Sequence, residues 1–152
     1  MINMRLVVQA VEKAEVFIQD TGEKNTIGKG ILVYFGVHRD DVVDGKSKID
    51  TLIRKIGSMR WLKNTEGRLD ATLADIGGQI MVISNFTLYA SNEKGSKMSF
   101  SQSATAVDAE PIYDYFVSEL KNTGWIVQTG KFGAMMEVSA TTLGPINYVW
   151  DV

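Results

Sequence analysis

The sequence predicts an α+β fold, with a mostly antiparallel sheet forming a barrel-like core and two main helices. Two observations carry this. Short apolar runs recur along the whole chain, with turn residues between them. Only two stretches, around residues 49–56 and 109–120, switch to helical spacing. With 152 residues, 45% hydrophobic and 22% charged, the chain is expected to be one domain, 1–152, with a core of ordinary size.

Each element has its own signal. Met4 to Val11 is apolar with Arg5 and Gln9 interspersed, and reads as a strand. Ala14 to Gln19 alternates Val16 and Ile18 against Glu15 and Gln19, and reads as a second strand paired with the first. Asp20-Thr21-Gly22 is turn chemistry. Gly28-Lys29-Gly30 leads into Ile31–Val37, which is too short for a helix and rich in β-formers, hence a central strand. Ile49, Leu52, Ile53 and Ile56 then fall on one helical face, with Asp41 or Asp44 as the cap and Gly57 near the end. Arg60 to Leu62 is a short extended piece, and Asn64 to Gly67 a turn. Leu69 and Leu73 are expected to dock on the core, and Asp75 to Gly78 to form a loop.

The run Ile80-Met81-Val82-Ile83 reads as a buried strand and ends in Ser84-Asn85-Phe86-Thr87-Leu88. A long polar connection, Tyr89 to Ser103, follows; loops of this length often serve function. Ala109, Ile112, Tyr113, Phe116 and Leu120 set the second helical face, with Asp108 as N-cap, Pro111 in the first turn and Gly124 as stop. Trp125 to Val127, Met135 to Ala140 and Ile146 to Trp150 read as strands, with a turn at Gly130 to Gly133.

Composition narrows the function. With no cysteine, disulfides and thiolate metal sites are excluded. No apolar run is long enough to span a membrane and no secretion signal is visible, so a cytoplasmic protein is expected. The net charge of −2 offers no broad basic surface for nucleic acid. His38, the only histidine, has no nucleophile and acid beside it, and reads as a surface or satisfied-core residue. Gly28-x-Gly30 precedes a strand, not a helix, and is no dinucleotide fingerprint. Lys94 and Lys97 sit in a polar loop and read as solvated, with phosphate contact as the alternative. Ser84 and Thr87 offer hydroxyls at a strand end, yet no histidine or lysine base accompanies them. Gly144-Pro145 reads as a tight turn, at a pair where a cis peptide is accessible.

The order of these pieces resembles the D-aminoacyl-tRNA deacylase family. Ser84-x-Phe86-Thr87-Leu88 resembles its SQFTL stretch, and Thr129 to Val138 its TGxFGAxMxV stretch. Gly144-Pro145 lies where that family carries NxGPVT. Further matches run through Gln9-x-Val11, Gly28 to Val33, Lys94-Gly95, Ser99-Phe100 and Tyr113 to Val117, so the resemblance covers the whole chain.

It implies the family's fold and a homodimer that hydrolyses the ester between a D-amino acid, or glycine, and tRNA, without metal or cofactor. Catalysis would fall to Ser84, Asn85, Phe86 and Thr87, with backbone N–H groups meeting the ester carbonyl. Gly144, Pro145 and Met135 would bind substrate and select its hand. The Gly-Pro carbonyls, donated across the dimer, would exclude an L side chain by clash.

The chain departs from the family pattern at Ala10, Asn85, Lys97, Met98, Thr142 and Asn147, where arginine, glutamine, arginine-proline, asparagine and threonine are expected. These departures motivate the alternative of a catalytically weakened or inactive paralogue that binds tRNA or another nucleic acid.

Overall fold

The computed structural model describes residues 4–42 and 45–152. Strand β1 (Met4–Ile18) is the spine. It is antiparallel to β2 (Lys24–Ile27), to β3 (Gly30–Val37) and to the long C-terminal strand. The two N-terminal strands expected from the sequence are this one strand. Glu12-Lys13 has no turn chemistry, so the chain absorbs a bulge there instead of reversing. The bulge also changes which core the strand serves. Leu6, Val8 and Ala10 face the larger cluster, whereas Val11, Ala14 and Val16 face a smaller one.

Helix α1 (Gly45–Ser58) buries Ile49, Leu52, Ile53 and Ile56, the face expected from the spacing. Its proposed caps, Asp41 and Asp44, lie outside the residues whose side chains are described. A small hairpin, β4 (Leu62–Lys63) and β5 (Leu69–Ala71), follows. Leu73 is fully buried, but Leu69 is 55% exposed and does not dock. The expected loop at 75–78 is a 3₁₀ turn (Ala74–Ile76) with its exit through Gly77 and Gly78.

Strand β6 (Gln79–Ser84) runs parallel to β3, and β7 (Val127–Thr129) parallel to β6. The sheet is therefore mixed: mostly antiparallel, as expected, with a parallel part that the sequence does not reveal. The apolar runs in β3 and β6 explain this: strands buried on both faces lose their polar alternation. Ile31, Val33, Phe35, Ile80 and Val82 face the helices, while Leu32, Met81 and Ile83 face the second core. The sheet curls enough for Asn25 Nδ2 in β2 to donate to the Thr129 carbonyl in β7, at 2.7 Å.

Helix α2 (Ala106–Asn122) buries the five residues expected of it. Its N-cap is Thr105, whose hydroxyl accepts from the Asp108 N–H, so Asp108 is the third helical residue and not the cap. Pro111 consequently lies in the second turn.

The last strand, β8 (Met136–Asp151), pairs with β1 at both its ends. The two C-terminal strands expected from the sequence are one strand with an excursion. Between the Gln9–Asn147 and Val11–Thr142 pairs, β1 advances two residues while β8 advances five. The excursion carries Leu143, Gly144, Pro145 and Ile146, and the Gly144–Pro145 peptide is cis. β8 therefore persists because β1 offers it an unbroken edge.

One close approach positions everything that follows. A 3₁₀ turn (Phe86–Tyr89) leaves the end of β6 and lies on β3 at Gly36. A Cβ at Gly36 would sit 3.0 Å from both the Asn85 carbonyl oxygen and Leu88 Cβ. Gly36→Ala is expected to lose about 1–3 kcal/mol through this overpacking. A urea unfolding curve would show it, and chemical-shift changes should centre on residues 84–89.

Candidate functional site

A cleft of about 670 Å³ opens at the C-terminal ends of β3 and β6. Its floor is Phe35, Gly36 and Ile83, and Ser84, Asn85 and Phe86 form one wall. The opposite wall comes from the segment before β8, including Phe132 and Met135, and the start of α2 closes one end. The strand ends hold their side chains rigidly because both strands are buried on two faces.

Asn85 is extended and caps the turn. Its Oδ1 accepts the Thr87 N–H at 3.2 Å and the Thr87 hydroxyl hydrogen. The Asn85 N–H donates to the Phe35 carbonyl at 2.9 Å, and the Leu88 N–H to the Asn85 carbonyl. The Phe86 carbonyl accepts from Ser103 Oγ at 2.7 Å. The Phe86 N–H donates to no group among the described residues, and neither does the Ser84 hydroxyl. The cleft wall thus offers one open backbone donor and one open hydroxyl.

The Phe86 ring is 58% exposed and meets Phe100 edge-on, with centroids 4.9 Å apart. Together they form an apolar lip. Below them, Arg5 ties three parts of the fold. It donates to both Asp151 oxygens, at 2.7 and 3.3 Å, and to the Leu88 carbonyl at 3.2 Å. Its guanidinium also lies 5.2 Å from the Tyr89 ring centre. The Asp151 hydrogen bond raises the Arg5 pKa above its ordinary value. The turn is thereby fixed to both strands at one end of the chain's longest ladder, where Arg5 pairs with Asp151.

The sequence-derived candidates separate here. Ser84, Asn85, Phe86 and Met135 line the cleft. Thr87 is exposed beside it, with its hydroxyl hydrogen held by Asn85. Gly144 and Pro145 do not line it. They are exposed on β8, two residues beyond Thr142. His38 is a satisfied structural residue: Nδ1 accepts the Asp40 N–H at 3.1 Å, and the ring packs edge-on against Tyr89. Lys94 and Lys97 are in an exposed loop closed by the Ser91–Ser99 bridge. Two residues escaped sequence reasoning. Arg5 left a signal, a lone charge in an apolar strand. Ser103 left none, since a serine in a polar loop looks like any other.

The cleft holds one titratable lining residue among those described, Tyr113. Its hydroxyl donates to the Val82 carbonyl at 3.1 Å, and burial pushes its pKa far up, with Asp114 adding to the shift. It stays protonated and supplies no base.

Comparison with known proteins fits this arrangement. A family profile described as "D-Tyr-tRNA(Tyr) deacylase" matches residues 7–151. The chain belongs to the D-aminoacyl-tRNA deacylase family. A D-aminoacyl-tRNA deacylase from Roseiflexus sp. (strain RS-1) is 39% identical over 148 residues, covering 97% of this chain and 93% of the relative. One from Chlorobaculum tepidum is 40% identical over 150 residues, covering 97% of each. Among solved structures, a "c-Myc DNA Unwinding Element Binding Protein" superposes with a TM-score of 0.85 at 29% identity, over 97% of this chain and 98% of that one. "A probable eukaryotic D-amino acid tRNA deacylase" also reaches 0.85, at 15% identity over 99% and 100%, and shows the fold alone.

As a D-aminoacyl-tRNA deacylase the protein is a hydrolase in translation quality control, with aminoacyl-tRNA as its substrate. The cleft itself is short of ionisable groups. Its one buried phenol also gives a pH prediction. Tyr113 is raised on folding, so its contribution is complete below about pH 10, the ordinary phenol value, and drains away above it. Tyr34, also raised by burial, adds to the same slope. The urea midpoint should fall as pH rises past about 10, and Tyr113→Phe should flatten that fall without removing it.

Proposed function

We propose that the cleft takes the aminoacyl ester of D-aminoacyl-tRNA and positions it for attack by water, with no side-chain nucleophile. The observation that carries this is the pairing of an open Phe86 N–H with the open Ser84 hydroxyl on a wall without a base. Water adds to the ester carbonyl carbon. The charge that develops on its oxygen is met by the Phe86 N–H, a donor held in place before the reaction starts. The bond to the ribose oxygen then breaks, releasing free D-amino acid and tRNA. The terminal ribose hydroxyl of the tRNA assists the water, so the protein's share is alignment and charge stabilisation.

The remaining candidates take graded roles. Ser84 orients the ester or the water. Thr87 acts through its oxygen, because Asn85 holds its hydroxyl hydrogen. Asn85 fixes the turn, and Met135 and the Phe86 ring wall the amino-acid and adenosine parts. Gly144 and Pro145 select the hand of the substrate from a second copy of the chain. Their exposure on β8, away from their own cleft, supports that arrangement, as do Tyr148 and Val149, 42% and 60% exposed on the same strand. The main-chain carbonyls would face the substrate ammonium and leave no room for an L side chain. Glycine, which has none, would pass. Such a tRNA-directed dimer would work in the cytoplasm.

A second reading takes its support from the relative named for binding a DNA unwinding element. In it, the same fold binds nucleic acid without turnover.

Deacylation of D-tyrosyl-, L-tyrosyl- and glycyl-tRNA separates the two. Turnover of the D and glycyl esters with sparing of the L ester is expected. Purified protein that turns over neither ester at stoichiometric levels, yet binds uncharged tRNA or single-stranded DNA, would establish the second reading. The donor can be tested directly. Phe86→Pro removes the N–H at the first position of its turn, where proline's φ fits, and Asn85 before it is already extended. Relative to Phe86→Ala, which loses the ring but keeps the N–H, kcat should drop by about 100-fold, the usual loss of an oxyanion donor.

A further inference from the structure

We propose that the Gln9–Asn147 amide pair positions the Leu143–Ile146 excursion of β8, and through it sets how strictly the protein rejects L-aminoacyl esters. The proposal rests on the reading of Gly144 and Pro145 given above and adds the residues that aim them.

The excursion folds tightly on itself. Gly144 has φ +109°, and a Cβ there would fall 2.5 Å from Ile146 Cγ1 and 2.6 Å from the Ile146 nitrogen. Leu143 and Ile146, both partly buried, pack against the larger core cluster, so the four residues move as one piece. Its direction is then set where it rejoins the ladder. At one end, Thr142 pairs with Val11 next to the bulge on β1, and its side chain makes no hydrogen bond among the described residues. At the other end, Asn147 lies opposite Gln9, and Gln9 Nε2 donates to Asn147 Oδ1 at 3.0 Å. Among the described residues, a side-chain hydrogen bond therefore clamps the excursion at one flank only.

The clamp spans a fixed gap. Cross-strand partners keep their backbones a set distance apart, so the summed reach of the two side chains must match that gap. Gln9 contributes one methylene more than Asn147. Shortening or lengthening either partner breaks the fit, while exchanging the two preserves it. Both residues are on the strand surface and neither lines the cleft, so their loss should leave the chemistry on the favoured substrate intact. What they change is the tolerance of the filter.

The test is kcat/KM on D-tyrosyl-tRNA and L-tyrosyl-tRNA for the wild type, Gln9→Ala, Asn147→Ala, the double alanine variant, and the exchange Gln9→Asn with Asn147→Gln. Each alanine variant is expected to keep its D rate within about twofold and to gain about fivefold or more on the L ester, the size of one net hydrogen bond. The double alanine variant should be no more permissive than either single one, since both remove the same contact. The exchange should restore at least half of the lost selectivity, a rescue that a general loss of stability would not show. If the wild type is active and selective but both alanine variants keep its D/L ratio, the clamp is overturned while the function stands. Equal losses on both esters, or an exchange no better than the alanines, also overturn it. A wild type inert toward D-tyrosyl-tRNA removes the functional reading itself, and the clamp with it.

Discussion

The site depends on how near the turn at 86–89 can come to β3. At Gly36 even a methyl group would press on the turn, at 3.0 Å from the Asn85 carbonyl oxygen and Leu88 Cβ. That contact brings the end of β6 down onto its parallel neighbour, and the Asn85 N–H then reaches the Phe35 carbonyl. The turn's remaining polar groups are assigned in sequence: Asn85 takes the Thr87 donors, Ser103 takes the Phe86 carbonyl, and Arg5 takes the Leu88 carbonyl. Among the described residues, the Phe86 N–H is the amide that remains once these neighbours have their partners. It exists because the backbone around it is satisfied, and a looser turn would spend that donor on itself.

On the proposed function, this accounts for a site that looks bare. An aminoacyl ester is already activated, so a strong base is unnecessary and a charged side chain in the cleft would carry a desolvation cost. The lining offers hydroxyls, aromatic edges and main chain, and its one phenol is locked to the Val82 carbonyl. Such a cleft gains by excluding side chains as much as by adding them. Fixed dipoles of this kind need no reorganisation when charge appears.

Much of the framework was legible in the sequence. The two helical faces are as their spacing implied, because burial on one side leaves a period that nothing else produces. The continuity of β1 and β8 was not legible. A bulge and an excursion look like strand ends when the partner strand is unseen, and only pairing shows that the ladder resumes. Parallel pairing of β3, β6 and β7 was likewise hidden, since an apolar run records burial and not direction. Of the cleft lining, Ser84, Asn85 and Phe86 were legible as neighbours in sequence, and Met135 through resemblance. The resemblance implied backbone N–H groups around Asn85, Phe86 and Thr87, but not that Asn85 and Thr87 spend theirs within the fold, because that is defined by which groups have partners. Thr105 and not Asp108 caps α2 because the cap is set by where the chain leaves the extended form, and both residue types suit that role.

The bulge on β1 gives the spine a division of labour. Upstream of it the strand's inward residues serve the core beneath the helices, and downstream they serve the smaller core inside the curl. The β8 excursion leaves the ladder beside that same crossover, between two stretches of register that are each anchored by a different core. Residues can therefore be inserted, deleted or exchanged there without shifting either register. On the proposed function, lineages carrying this architecture retune what they refuse while inheriting an unaltered scaffold, which makes substrate discrimination the most freely evolvable part of the molecule.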